Sequence, residues 1–297
     1  MIFTKSIGIY SKLLASLSGF TGFSSSPIIG LRKFVKREQK MKISAGIFQY
    51  KMRDETPLRR IQRLEEKLQQ ADGLDLIVCP ELFLSGYGSF DKIKEYCEQS
   101  DGKYANKISA LAKKYSTAIV YGYPEMAKNN LFNSAQYFDS KGLSLANHRK
   151  KMLPPTADES KIFKPGSKSS IIMVNGIKSA IVICYELEFP EIIRKLALQG
   201  VELIIAPTGQ SSHWPAAALY NCRTRAFENG IYVIYANSTG NLNGINFMGE
   251  SKIIGPDGLD VVNAGITEKV IMGEINTDEI SSVRNKLPYL DDSKTLN

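Results

Sequence analysis

Three observations in the sequence predict an α/β fold. From Met41 onward, short apolar runs alternate with helical patterns that are apolar on one face. The run at 74–79 is apolar apart from Asp75, as a strand covered on both sides is. Two segments also echo one another. Asp72-Gly73-Leu74-Asp75-Leu76-Ile77-Val78-Cys79-Pro80 and Gln199-Gly200-Val201-Glu202-Leu203-Ile204-Ile205-Ala206-Pro207 share a helix-ending glycine, an acid, a buried strand and a proline at the strand exit. Such a repeat fits two packed sheets related by an approximate twofold.

Taken in order, residues 43–48 read as the first strand. A helix follows, with Thr56 as its cap and Pro57 at the first position, where a missing N–H costs nothing. Its buried face is expected to hold Leu58, Ile61, Leu64, Leu68 and Ala71. Further helices are predicted at 104–115, 190–199 and 216–228, and further strands at 74–79, 118–123, 180–184, 202–206 and 231–236. The tail reads as β-ribbon, with Asp257-Gly258 turning between 252–254 and 259–262.

The 297 residues are 43% hydrophobic and 23% charged, which suffices for one large core. The formal charge of +8 is unevenly placed: residues 1–40 hold seven basic side chains against Glu38 alone. The remainder is therefore nearly neutral and carries no electrostatic footprint for nucleic acid. Residues 1–40 are expected to be an N-terminal extension that is disordered, targeting or upstream of the true start. Residues 41–297 form the folded domain. The apolar stretch 7–23 is broken by Ser11, Lys12, Ser16 and Ser18, too polar for a membrane span. Four cysteines without a CxxC pair, and two histidines, His148 and His213, offer neither a disulfide framework nor a zinc site. Neither GxxxxGK[ST] nor GxGxxG occurs, so no nucleotide or other cofactor is expected.

Reactive side chains stand at three strand ends, where α/β proteins place their ligands. These are Glu81 in Pro80-Glu81-Leu82-Phe83, Lys150 in His148-Arg149-Lys150-Lys151, and Cys184 in Ile183-Cys184-Tyr185-Glu186. Each alone has an ordinary explanation as a cap, a solvated face or a small core residue. His213 and Trp214 stand in a Ser/Gly-rich loop, either lining a pocket or packing locally.

Together these motifs resemble the carbon-nitrogen hydrolase family, the nitrilase superfamily, across residues 41–297. The likeness is carried by Pro80-Glu81-Leu82 with Ser85-Gly86-Tyr87, and by His148-Arg149-Lys150 with Asp158-Glu159 and Phe163-Lys164-Pro165-Gly166. Cys184-Tyr185-Glu186-Leu187-Glu188-Phe189-Pro190-Glu191 completes it. The resemblance implies a four-layer αββα sandwich with a catalytic set of Glu81, Lys150 and Cys184. It also implies Glu159 as a second glutamate beside the lysine, and the Tyr185 backbone N–H as oxyanion support. Lys151 falls on the next, variable position and is expected to be a neighbouring surface charge. Cys79, Cys97 and Cys222 have no matching motif and are expected to be structural or incidental.

The implied activity is hydrolysis of a small-molecule carboxamide to carboxylate and ammonia through a cysteine thioester. Tyr185-Glu186 after the cysteine is mixed between branches, which leaves an N-carbamoyl amine hydrolase as the near rival and a nitrilase third. Two alternatives come from other classes. One is a catalytically silent binding or assembly subunit, against which all three positions are filled. The other is an adaptor whose basic tail recruits acidic lipid or nucleic acid. The family implies a homodimer or larger homo-oligomer. A cytoplasmic location is expected, or an organellar or exported one if residues 1–40 are a targeting sequence. No synthetase domain is expected, since the residues given end near the hydrolase core.

Overall fold

The computed structural model describes residues 41–87, 90–155 and 158–296, so the N-terminal extension lies outside the described residues. In the first half, β1 (Lys42–Gln49) leads to α1 (Pro57–Leu68) and β2 (Leu76–Val78). Helices α2 (Phe90–Tyr96) and α3 (Lys103–Tyr115) follow, then β3 (Ala118–Ala127), β4 (Asn130–Phe138) and β5 (Ser144–Arg149). The second half runs through α4 (Glu159–Ile162), β6 (Ser170–Val174), β7 (Ile177–Ile181), a 3₁₀ turn (Cys184–Glu188), α5 (Pro190–Leu198) and β8 (Leu203–Pro207). A π turn (Ala217–Asn221) then runs into α6 (Cys222–Phe227) and β9 (Tyr232–Ala236). The hairpin β10 (Thr239–Leu242) and β11 (Ile245–Met248) precedes β12 (Lys252–Ile254), β13 (Asp260–Asn263), β14 (Lys269–Asn276) and α7 (Thr277–Lys286).

Two six-stranded sheets result, in the orders β14-β1-β2-β3-β4-β5 and β13-β12-β9-β8-β7-β6. Each has three parallel strands at its centre, β1-β2-β3 and β7-β8-β9, flanked by antiparallel neighbours. The two halves thus repeat one layout strand for strand, and the echoing segments occupy the same place in each, β2 and β8. Alternation along these strands separates the layers. Leu76, Val78, Val120, Leu203, Ile205 and Ile234 meet between the sheets. Ile77, Cys79, Ile119 and Tyr121 face outward onto Ile61, Leu64, Ile108 and Leu111 of α1 and α3. Ile204, Ala206 and Val233 face Ile193, Leu196, Cys222 and Ala226 of α5 and α6. The layers are helix, sheet, sheet, helix.

Several boundaries differ from expectation. The strand expected at 180–184 ends at Ile181, because the chain turns at Cys184, whose φ is +47°. The helix expected at 216–228 contains the π turn. Leu58 does not share the buried face of α1: it is exposed, and Arg60 is buried in its place. The guanidinium of Arg60 is accommodated because carbonyls of Arg53, Glu55 and Phe83 accept its hydrogens. Among the described residues no helix is long and apolar enough to cross a membrane.

The strand exits converge. Pro80 and Glu81 leave β2 at the end where Pro207 leaves β8, and the Glu81 N–H donates to the Thr208 carbonyl at 3.3 Å. Gly122 on β3 permits the turn at Glu81: a Cβ there would lie 2.4 Å from Leu82 N and 2.7 Å from Glu81 Cα and Pro80 O, all backbone atoms. Gly122→Ala is expected to lower stability by about 1–3 kcal/mol, since overpacked backbone cannot yield as a side chain can, and to cut activity by displacing Glu81. Urea midpoints of the two proteins check this; an unchanged midpoint and rate would contradict it.

Candidate active site

Glu81 follows β2, Lys150 follows β5, Glu159 opens α4, and Cys184 opens the 3₁₀ turn after β7. Because β5 runs antiparallel to β4, and β4 antiparallel to β3, the end of β5 returns to the edge where β2 ends. The Lys150 backbone is fixed there on both sides: its N–H donates to the Asn133 carbonyl and its carbonyl accepts from Gly166 N–H, each at 2.8 Å.

The side chains of Glu81, Lys150 and Glu159 are buried and bonded together. Lys150 Nζ donates to Glu81 Oε1 at 2.7 Å and meets Glu159 Oε1 and Oε2 at 2.8 and 2.9 Å. Burial works against the Lys150 charge, but Glu81 and Glu159 outweigh it and raise the ammonium well above its ordinary range. Burial also raises Glu159, with Lys150 pulling it down and Glu81 pushing it up. Asn133 on β4, which sequence reasoning missed, donates to Glu81 Oε1 at 2.7 Å and Glu159 Oε2 at 3.2 Å. Glu81 Oε2 is buried and takes no hydrogen bond among the described residues.

Cys184 lines a cavity of about 600 Å³ together with Glu159, Tyr87, Tyr185, Glu188 and Trp214. Both His213 and Trp214 line it, which decides their reading in favour of the pocket. Burial pushes the Cys184 thiol well above its ordinary value and the Glu81 charge adds to it, while Lys150 and the Gly209 N–H pull the other way. Burial and the neighbouring carboxylate thus favour the thiol over the thiolate at Cys184. Its positive φ is a conformation that costs a non-glycine residue about 1–3 kcal/mol, a strain that clusters at active sites. Tyr185 packs its ring edge-on against Phe189, at 4.9 Å between centroids. Lys151 lies outside this cluster, its Nζ on Ser169 Oγ at 2.9 Å. Cys79 and Cys222 are buried in the core, and Cys97 lies just beyond α2.

The Glu186 carboxylate lies in the protein interior, so it does not read the substrate as a branch marker would. Its Oε2 accepts from Ile183 N–H at 2.7 Å and contacts His148 Nε2 at 2.8 Å, while Oε1 accepts from Lys151 N–H at 3.2 Å. One carboxylate thus ties the Cys184 turn to the strand end carrying Lys150. Burial opposes its ionisation, but the His148 contact and the Ile183 N–H hold it below its ordinary value of 4.5.

The family model described as carbon-nitrogen hydrolase matches residues 44–285. The chain belongs to that family. A Pseudomonas protegens protein named "Hydrolase in pqqF 5'region" is 37% identical over 79% of this chain and 83% of its own length. A 2-oxoglutaramate amidase of Bacillus subtilis is 30% identical over 85% of this chain and 98% of its own. The crystal structure of an amidase from Nesterenkonia sp. superposes with a TM-score of 0.70 at 24% identity, covering 82% of this chain and 94% of that one. It shares the fold of this carbon–nitrogen hydrolase.

Since Glu186 is held ionised by the fold, its stabilisation is present above the unfolded value near 4.5 and fades as pH falls through the lower folded value. Glu186→Gln is expected to be less stable than wild type by about 1–3 kcal/mol at neutral pH, with the gap narrowing below pH 4.5. Denaturation curves at pH 7 and pH 4 measure it; a gap independent of pH would contradict the assignment.

Proposed function

We propose that this cavity hydrolyses a small-molecule carboxamide to carboxylate and ammonia through a thioester on Cys184. The observation that carries the reading is the buried Lys150 bridging Glu81 and Glu159, with Glu81 Oε2 still unbonded, and a cysteine at the cavity wall. The relatives named as amidases support the choice of amide.

A protonated thiol needs a base at the moment of attack, and Glu81 fills that role. As Cys184 Sγ bonds to the amide carbon, Glu81 takes the thiol proton and the carbonyl oxygen becomes an oxyanion. Lys150 has three N–H hydrogens: Glu81 takes one and the two oxygens of Glu159 can share a second, which leaves the third for the oxyanion. The Tyr185 N–H, in the first turn after the nucleophile, is the second donor. Glu81 then gives its proton to the departing nitrogen, the carbon–nitrogen bond breaks, and ammonia leaves. Water enters, Glu81 removes its proton, and hydroxide attacks the thioester. The carbon–sulfur bond breaks, the proton returns from Glu81 to sulfur, and the acid departs, losing its own proton to water to become the carboxylate. Glu159 keeps Lys150 in place throughout.

Cys184→Ala is expected to abolish ammonia release from butyramide. Glu81→Gln and Lys150→Ala should each lower turnover at least ~100-fold through lost proton transfer and lost oxyanion support. Lys151→Ala should be mild. Initial rates with circular dichroism as a folding control test the set; wild-type turnover in Cys184→Ala would end the proposal.

A further inference from the structure

The residue that closes the 3₁₀ turn begun by the nucleophile is Glu188, and it lines the same cavity. Its carboxylate is half-buried and makes no hydrogen bond among the described residues, while its backbone carbonyl accepts from Arg225 at 2.7 Å. Burial raises its pKa, opposed by the charges of Lys150 and Arg225. A partly desolvated carboxylate without a donor is a costly group, and a cation arriving in the cavity would offset that cost.

The cations nearby are already committed. Lys150 is held by Glu81 and Glu159. Arg225 donates to the carbonyls of Leu187 and Glu188 and to Glu228 Oε1. Lys151 reaches Ser169. Among the described residues lining the cavity there is no lysine or arginine, and His213 alone could become positive. The wall also offers the rings of Tyr87, Tyr185 and Trp214, faces on which an ammonium group is favoured. A carboxylate on the substrate would instead meet Glu188 as a like charge, with no lysine or arginine on the described wall to answer it.

We propose that Glu188 selects amides that carry a protonated amine and disfavours amides that carry a carboxylate. This rests on the reading of the cavity as an amide-hydrolysing site. The substrate class is that of amino-acid amides and amino-alkyl carboxamides, as distinct from carboxylate-bearing ω-amides.

The test uses three matched series. Glycinamide, β-alaninamide and 4-aminobutanamide are compared with their methyl isosteres propanamide, butyramide and pentanamide, and with malonamate, succinamate and glutaramate. Rates are taken at about pH 6.5, below the α-amino range of about 7.7–8.0, so that the amines are charged. At one chain length or more, the amine should exceed both its isostere and its carboxylate counterpart about tenfold in kcat/KM, equivalent to about 1.4 kcal/mol. Glu188→Gln should reduce that ratio by a similar factor, and Glu188→Lys should invert the order. Equal kcat/KM across the three charges, or a preference untouched by Glu188→Gln, would overturn the proposal. Calorimetric binding of the same compounds to Cys184→Ala reads the selectivity without turnover. Charge-selective binding there without wild-type hydrolysis would uphold Glu188 and end the hydrolytic reading; hydrolysis without charge preference would do the reverse.

Discussion

The ion cluster of Lys150 with Glu81 and Glu159 is the interaction on which the site depends. Two carboxylates and one ammonium are removed from water together, with the ammonium 2.7–2.9 Å from the oxygens of both acids. Removing the ammonium would leave two buried acids facing each other, and breaking a buried ion pair on one side typically costs about 3–5 kcal/mol. The cluster carries a surplus of negative charge, and that surplus adds to the effect of burial in favouring the thiol form of Cys184. A permanent thiolate beside Glu81 would add a further anion to a site already short of positive charge. In the proposed mechanism, proton transfer to Glu81 during attack avoids that state, since the charge moves rather than accumulates.

The sandwich exists in large part to bring these three groups to one edge. Parallel strands at the centre of each sheet send their carboxyl ends the same way, and the repeated layout places β2 and β8 opposite each other. Their exits touch through Glu81 N–H and the Thr208 carbonyl. Gly122, which no side chain could replace without striking the Glu81 backbone, makes the close approach possible. Glu186 then fastens the nucleophile turn to the lysine strand. Distant segments of sequence are thereby held to hydrogen-bond precision by main chain and by one interior carboxylate.

Much of this was legible in the sequence, because strand alternation and helix periodicity are local properties. The echo at 72–80 and 199–207 announced the repeated sheets, and the motifs around Glu81, Lys150 and Cys184 announced the site. What escaped was tertiary in origin. Asn133 lies in a strand as one polar residue among several, and nothing in its neighbours says that two glutamates await it. Leu58 looked like a core residue by spacing, yet Arg60 took the position because three carbonyls converge on its guanidinium. The strand before Cys184 ends at Ile181, although the apolar run continues through Val182 and Ile183 to the left-handed Cys184. Glu186 and Glu188 are near neighbours of one type, and only the fold sends one inward to the scaffold and the other to the cavity wall.

The central claim is an acyl group held on Cys184 between two half-reactions, and partitioning with hydroxylamine tests it directly. Butyramide and N-methylbutyramide would be turned over at one fixed hydroxylamine concentration, with butyrate and butyrohydroxamate measured together. A common thioester predicts the same ratio of the two products from both amides, because the leaving amine has departed before the competition begins. It also predicts that Cys184→Ala forms neither product. A ratio that changes with the leaving group, or hydrolysis that yields no hydroxamate, would contradict the account.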